Sequence, residues 1–120
     1  MHPTLRLLPA CLGALLSGAL LAGCATAEQT QRFNDGWKPG HVKAVGTAAA
    51  LGEQHPRLDC RSTTDADAPN TVYAVVSYPQ GHRHPLVIAS VPEQLHPGLG
   101  ETVWVNSQRC VPLEPRAAGD

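Results

Sequence analysis

Lysine is nearly missing from this chain: Lys38 and Lys43 are the only two in 120 residues. Nucleic acid is held by clustered Lys and Arg that neutralise phosphates, and here nine such residues face ten Asp and Glu with no basic run. That excludes nucleic-acid binding as a leading class. Catalytic punctuation is missing too. Ser77, Ser90 and Ser107 stand in no Gly-x-Ser-x-Gly elbow, and no carboxylate pair stands apart from scattered acids. Without a recognisable nucleophile and base, the expectation is a non-enzymatic protein that needs no cofactor. Aromatic residues are scarce, namely Phe33, Trp37, Tyr73, Tyr78 and Trp104, so any aromatic contact must come from these five.

What is there begins with an apolar run. Arg6 and the amino terminus give a positive start, Leu7 to Leu21 an apolar stretch, and Ala22-Gly23 the small residues that precede a cleavage point. Pro9, Gly13, Ser17 and Gly18 break the run, which is shorter than the roughly 20 apolar residues a membrane-spanning helix needs. Leu21-Ala22-Gly23-Cys24 reads as a lipobox, and residues 1–24 resemble the signal sequences of bacterial lipoproteins. That resemblance implies a diacylglyceryl group on the Cys24 sulfur, cleavage before Cys24 and usually an acyl chain (such as palmitate) on the new amino terminus. Each buried methylene adds about 0.8 kcal/mol, and one chain binds only marginally, so two or three chains form the stable membrane anchor. In such lipoproteins an aspartate after the lipidated cysteine commonly retains the protein in the inner membrane. Ala25 stands there instead, which implies the outer membrane, facing the periplasm.

Three regions follow: a signal peptide over 1–23, a lipidated Cys24 with a flexible tether over 24–40, and a small β domain over 41–120. The tether is polar and aperiodic, ending in Gly36-Trp37-Lys38-Pro39-Gly40; Phe33 and Trp37 within it dock on the domain, sit in the lipid interface or meet a partner. A domain of this size buries only about 60 to 65% of its unfolded surface, so cross-links matter. Cys11 departs with the signal and Cys24 takes lipid, which leaves Cys60 and Cys110. Their spacing matches no CxxC or zinc pattern, and an oxidising compartment favours a disulfide. The rival reading is a reactive thiol pair or metal ligands, with Arg61 and Arg109 flanking the two sulfurs.

Past residue 40 the hydrophobic period moves toward two. Val42, Ala44 and Gly46 alternate with Lys43, Val45 and Thr47; Ala48 to Leu51 fits a strand or a helical turn. Leu58 to Arg61 is a short strand candidate with Cys60 inward, and 61–70 is a loop by composition, whose Asp65 and Asp67 lack the rest of a calcium loop. The runs Thr71–Tyr78 and Leu86–Val91, parted by a Gly and Pro segment, predict a hairpin. Alternation puts Val72, Ala74, Val76 and Tyr78 on one face and Tyr73, Val75 and Ser77 on the other, both partly covered. Leu95 to Gly100 is a turn feeding a strand at Thr102–Asn106, a last strand is expected over Arg109–Leu113, and residues from Pro115 onward should fray. Five or six short strands give an all-β fold, a small partly open barrel of SH3-like or OB-like type.

Two sets of residues carry candidate sites. His82 and His84, in the hairpin connection, present the His-x-His pair that could offer two imidazoles to a metal, with His55 or His96 as a third ligand. Trp104 and Tyr73, if on an exposed strand face, supply a partner contact. The leading expectation is an accessory or structural protein that binds another envelope component. The alternatives are a periplasmic metal or small-ligand binder using His82 and His84, and a protein inhibitor: lysozyme-inhibitor lipoproteins resemble this chain in being small, β-rich and bridged between an early and a late cysteine.

Overall fold

The computed structural model describes residues 27–62 and 69–117. The signal peptide, Cys24 and Ala25, and Asp65 and Asp67, lie outside the described residues. The chain divides into two units, Met1–Asn34 and Asp35–Asp120.

In the first unit residues 27–34 form a helix, α1. These residues lie within the 24–40 stretch that composition reads as a tether. The segment is polar, but Ala, Glu, Gln and Arg favour helix without any apolar periodicity, so the absence of a pattern did not mean absence of structure.

The second unit is one mixed six-stranded sheet in the order β2-β4-β3-β1-β5-β6. Its strands are β1 (Trp37–Thr47), β2 (Leu58–Asp59), β3 (Val72–Ser77), β4 (Leu86–Ser90), β5 (Thr102–Asn106) and β6 (Glu114–Pro115), with a four-residue helix α2 (Ala48–Leu51) after β1. The all-β expectation holds. The sheet does not close into a barrel, and β2 runs parallel to β4 while the other pairs are antiparallel.

β1 serves two partners in succession. Its first half pairs with β5, from Trp37 opposite Asn106 to His41 opposite Thr102, and its second half pairs with β3, from His41 opposite Ser77 to Thr47 opposite Val72. A register shift between Val42 and Ala44 marks a bulge, which inserts an extra residue and bends the strand from one partner to the other. The sheet unit therefore includes Trp37 to Gly40, residues that composition had placed in the tether. Gly40 is needed where β1 crosses between partners: a Cβ there would stand 2.5 Å from Val76 Cγ1 and 2.9 Å from the Ser77 carbonyl.

β3 and β4 form the predicted hairpin, with Ala74 opposite Ala89 and Val76 opposite Val87. Their alternation divides the apolar residues between two clusters. One face contributes Ala74, Val76 and Tyr78 to the main core, joined by Val42, Val87, Ala89, Val103, Val105 and Leu113. The other contributes Tyr73 and Val75 to a smaller cluster with Ile88, against which Ala44, Ala48, Leu51 and Leu86 pack. The ambiguous Ala48–Leu51 run resolves as helix: the Thr47 hydroxyl accepts from the Ala50 N–H at 3.2 Å, and Gly52 at φ 66° ends the turn.

The C-terminal expectation needs a shift. No strand forms over Arg109–Leu113; the pairing moves to Glu114–Pro115, opposite Trp104 and Val103. Pro112 has no N–H to give a ladder, so the chain runs past it before pairing. Leu113 nonetheless sits in the main core, and its N–H donates to the Ser90 carbonyl at 3.0 Å, joining the β6 side to the end of β4.

Candidate functional site

The disulfide forms as expected. Cys60 follows β2, Cys110 precedes β6, and their Cα atoms stand 5.4 Å apart across 50 residues of chain. Cys60 is buried and its N–H donates to the Ile88 carbonyl at 2.9 Å, whereas Cys110 is half-buried. Closing a loop of that length stabilises the fold by about 4 kcal/mol in chain-entropy terms.

Arg61, one of the two arginines flanking the cysteines, has other work. Its guanidinium grips Asp59, with Nε donating to Oδ1 at 3.0 Å and Nη2 to Oδ2 at 2.7 Å, while Nη1 donates to the carbonyls of Gly52 at 2.7 Å and Ala48 at 3.2 Å. The side-chain hydrogen bond from Arg61 holds the Asp59 carboxyl below its ordinary range against the opposing effect of partial burial. Asp59 and Arg61 thus stitch β2 to the end of α2. The Asp-x-Arg spacing across Cys60 was visible in the sequence, but nothing there said that α2 would present its carbonyls to it.

Asn106, which the sequence reading passed over, is a second polar junction. Its buried carboxamide donates to the Asp35 carbonyl at 3.1 Å and accepts from the N–H groups of Gln108 at 3.0 Å and Arg109 at 2.9 Å. Gly36, at φ 96°, runs so close that a Cβ would meet Asn106 Oδ1 at 2.7 Å. Asn106 fixes the entry to β1 against the exit from β5.

His82 and His84 lie at the tip of the β3–β4 connection, both exposed. Gln80 and Arg83 pair across the tip with reciprocal backbone hydrogen bonds of 2.9 and 3.0 Å, and Gly81 takes φ 61°, the left-handed value that a two-residue hairpin turn requires. Among the described residues no three His, Cys, Asp or Glu side chains gather where a metal ion could sit. The tip presents two imidazoles without bringing His55 or His96 to them in such a group.

The two aromatic candidates separate. Tyr73 is 3% exposed in the smaller cluster, so the condition that it lie on an exposed face is not met, and it offers no contact surface. The reason is α2, which covers that part of the second face. Trp104 is half-buried between Pro39 of β1 and Glu114 of β6, with the Arg116 guanidinium 5.4 Å from its ring centroid. Its neighbours Val103 and Val105 point the other way, into the core.

A groove of about 570 Å³ lies at the open end of the main core. Val45, Val72, Val91 and Leu95 supply its aliphatic lining, Pro92 and Pro97 stiffen one wall, and Glu93 and His96 add polar groups. Val45 and Val72 are 38% and 39% exposed, high for β-branched residues on paired strands. A second cavity of about 410 Å³ shares Leu95 and lies between Glu101 to Val103 and the terminal residues Pro115 to Ala117. Three separate stretches of chain, at 45, 70–72 and 91–97, build the first groove, so no local motif announced it.

No family model, no curated protein and no solved structure matches this chain.

Proposed function

We propose that the protein is a lipoprotein anchored through Cys24 in the outer membrane, facing the periplasm, and that its sheet unit serves a non-enzymatic, accessory role by binding another envelope component. The observation that carries this reading is how the cysteines are distributed. Cys60 and Cys110 are joined within the sheet unit, a bond typical of oxidising compartments, which leaves the lipobox Cys24 as the cysteine for lipid. Ala25 after it favours the outer membrane. A protein partner fits better than a glycan, because the groove lining is largely aliphatic and proline-bounded and contains no Phe, Tyr or Trp ring against which a sugar could stack. Trp104, at the half-buried edge of the second face, is a further contact residue.

The test is mass spectrometry of the mature amino-terminal peptide together with fractionation of the envelope. Cleavage before Cys24, a diacylglyceryl mass on that residue and release of Cys24→Ala from the outer-membrane fraction are the expected results. An unmodified Cys24 would sink the anchor. Cross-linking from Val72 in living envelopes addresses the partner: one dominant protein adduct supports the accessory role, and none above background removes it.

A further inference from the structure

The carboxy-terminal residues 110–117 form a strap across one end of the core. Five features define it, one being the Arg116 guanidinium 5.4 Å from the Trp104 ring centroid. Leu113 is its fully buried side chain, placed among Val87, Val103 and Val105 of the main cluster. The Leu113 N–H reaches the Ser90 carbonyl at 3.0 Å. β6 adds two residues of pairing, and Pro112 and Pro115 remove two of the N–H groups by which the strap could pair further. Finally, Cys110 ties the start of the strap to Cys60.

The two ends of that covalent tie differ. Cys60 belongs to the fixed part of the sheet: it is buried, bonded to β4 through its N–H, and set between the interlocked Asp59 and Arg61. Cys110 belongs to the strap and is partly open to solvent. Cys110 is thus the more solvent-accessible residue of the pair. The strap also forms one wall of the second cavity, through Pro115, Arg116 and Ala117, opposite Leu95, Thr102 and Val103. Leu95 separates that cavity from the larger groove.

We propose that the Cys60–Cys110 disulfide is a redox latch: its reduction by a dithiol releases the strap while the rest of the sheet stays folded, joining the two cavities into one trough along Leu95. The reductant's thiolate attacks Cys110 Sγ, forming a mixed disulfide there as the Cys60–Cys110 bond breaks and its electron pair leaves on Cys60 Sγ, which takes a proton. The second thiol of the reductant then displaces Cys110 Sγ, which takes a second proton, and the reductant departs as its own disulfide. Two electrons and two protons pass to the protein. The latch is independent of the lipid anchor, since every group it uses lies in the Asp35–Asp120 unit.

Hydrogen exchange read by mass spectrometry on the full chain tests it, before and after treatment with dithiothreitol and alkylation with iodoacetamide. The Leu113 amide should lose its protection on reduction. The amides of Val42 and Tyr78, which donate to Glu101 and Pro85, should keep theirs. Retained protection at Leu113 would overturn the latch, because the strap would then hold without its tie. Simultaneous loss at all three positions would overturn it too, because the disulfide would then support the whole fold. Cys60→Ala/Cys110→Ala should reproduce the reduced pattern. Should that variant fail to fold, reduction and alkylation of the folded protein still decide the matter.

Discussion

The β3–β4 hairpin and the 110–117 strap both deliver side chains to the main core, but they are held there by different means. The hairpin is self-supporting: every residue from Tyr73 to Tyr78 is buried, its strands pair along five positions, and it faces apolar clusters on both sides. The strap contributes Leu113, two paired residues, the Arg116 guanidinium beside the Trp104 ring and a disulfide. Burying one large aliphatic side chain adds about 1.5 to 3 kcal/mol, so the strap relies on its covalent tie beside a single large apolar contact. In the hairpin that balance is reversed, since many such side chains act together with no cross-link of their own. Where a segment can bury little, a bond to a distant part of the chain replaces packing.

Truncating the two regions should expose this difference. Ile88→Ala removes a fully buried side chain from the hairpin's second face and should cost about 3 to 4 kcal/mol, with the whole unit unfolding at lower urea. Leu113→Ala should cost about 2 kcal/mol, the lower end for such a change, because the strap can settle into the space while the disulfide keeps it in place. Equilibrium urea unfolding of the oxidised proteins measures both. Equal costs would mean that the strap is as deeply integrated as the hairpin.

A smaller effect separates the strap from the junction just before it. Asn106→Leu keeps the approximate volume but leaves the N–H groups of Gln108 and Arg109 and the Asp35 carbonyl without that carboxamide. The expected loss is about 1 to 1.5 kcal/mol, the lower end for unsatisfied groups because the junction opens to water at Gln108 and Arg109. It should appear mainly as faster amide exchange at Ser107, whose N–H donates to the Gly36 carbonyl, because the β1 entry and the β5 exit would part there. Unchanged exchange at Ser107 would show that the junction is held by something other than Asn106.

The same contrast explains what could be read from the chain. In the hairpin, β-branched residues repeat with the period of the pleat over two adjacent runs, so strand positions, partner and facing followed from local pattern. The strap has no such period. Its pairing was expected over Arg109–Leu113 and occurs at Glu114–Pro115, because Pro112 displaces the ladder. β1 was cut short for a related reason: Pro39 and Gly40 look like a turn, yet Gly40 is where a strand shared by two partners passes closest to Val76. The parallel β2–β4 pair and the groove join segments far apart in sequence, and neither leaves a local trace. Tyr73 was placed on the correct face, but its burial depended on α2, a segment whose residues suited strand and helix alike. The disulfide was legible because cysteine arithmetic needs no geometry.

The smallest predicted effect lies at the sheet anchor of the strap, where Asp59 and Arg61 bracket Cys60. Arg61 holds the folded-state pKa of Asp59 below its ordinary value of 3.8, so ionised Asp59 favours the folded state. The contribution is present above the unfolded-state value and is lost as pH falls through the folded-state value. The carboxylate is 34% exposed, and solvent screening limits the pair to under about 1 kcal/mol. Asp59→Asn should therefore lower the urea midpoint slightly at neutral pH, and the gap between the two proteins should close in strong acid, once the wild-type carboxyl is protonated. The Arg61 bonds to Ala48 and Gly52 do not involve Asp59 and should survive the change, keeping β2 and Cys60 in place. A gap that persists unchanged in acid would assign the loss to some property of Asp59 other than its charge. A loss at neutral pH as large as that of Leu113→Ala would make the anchor, rather than the strap, the weaker partner of the disulfide.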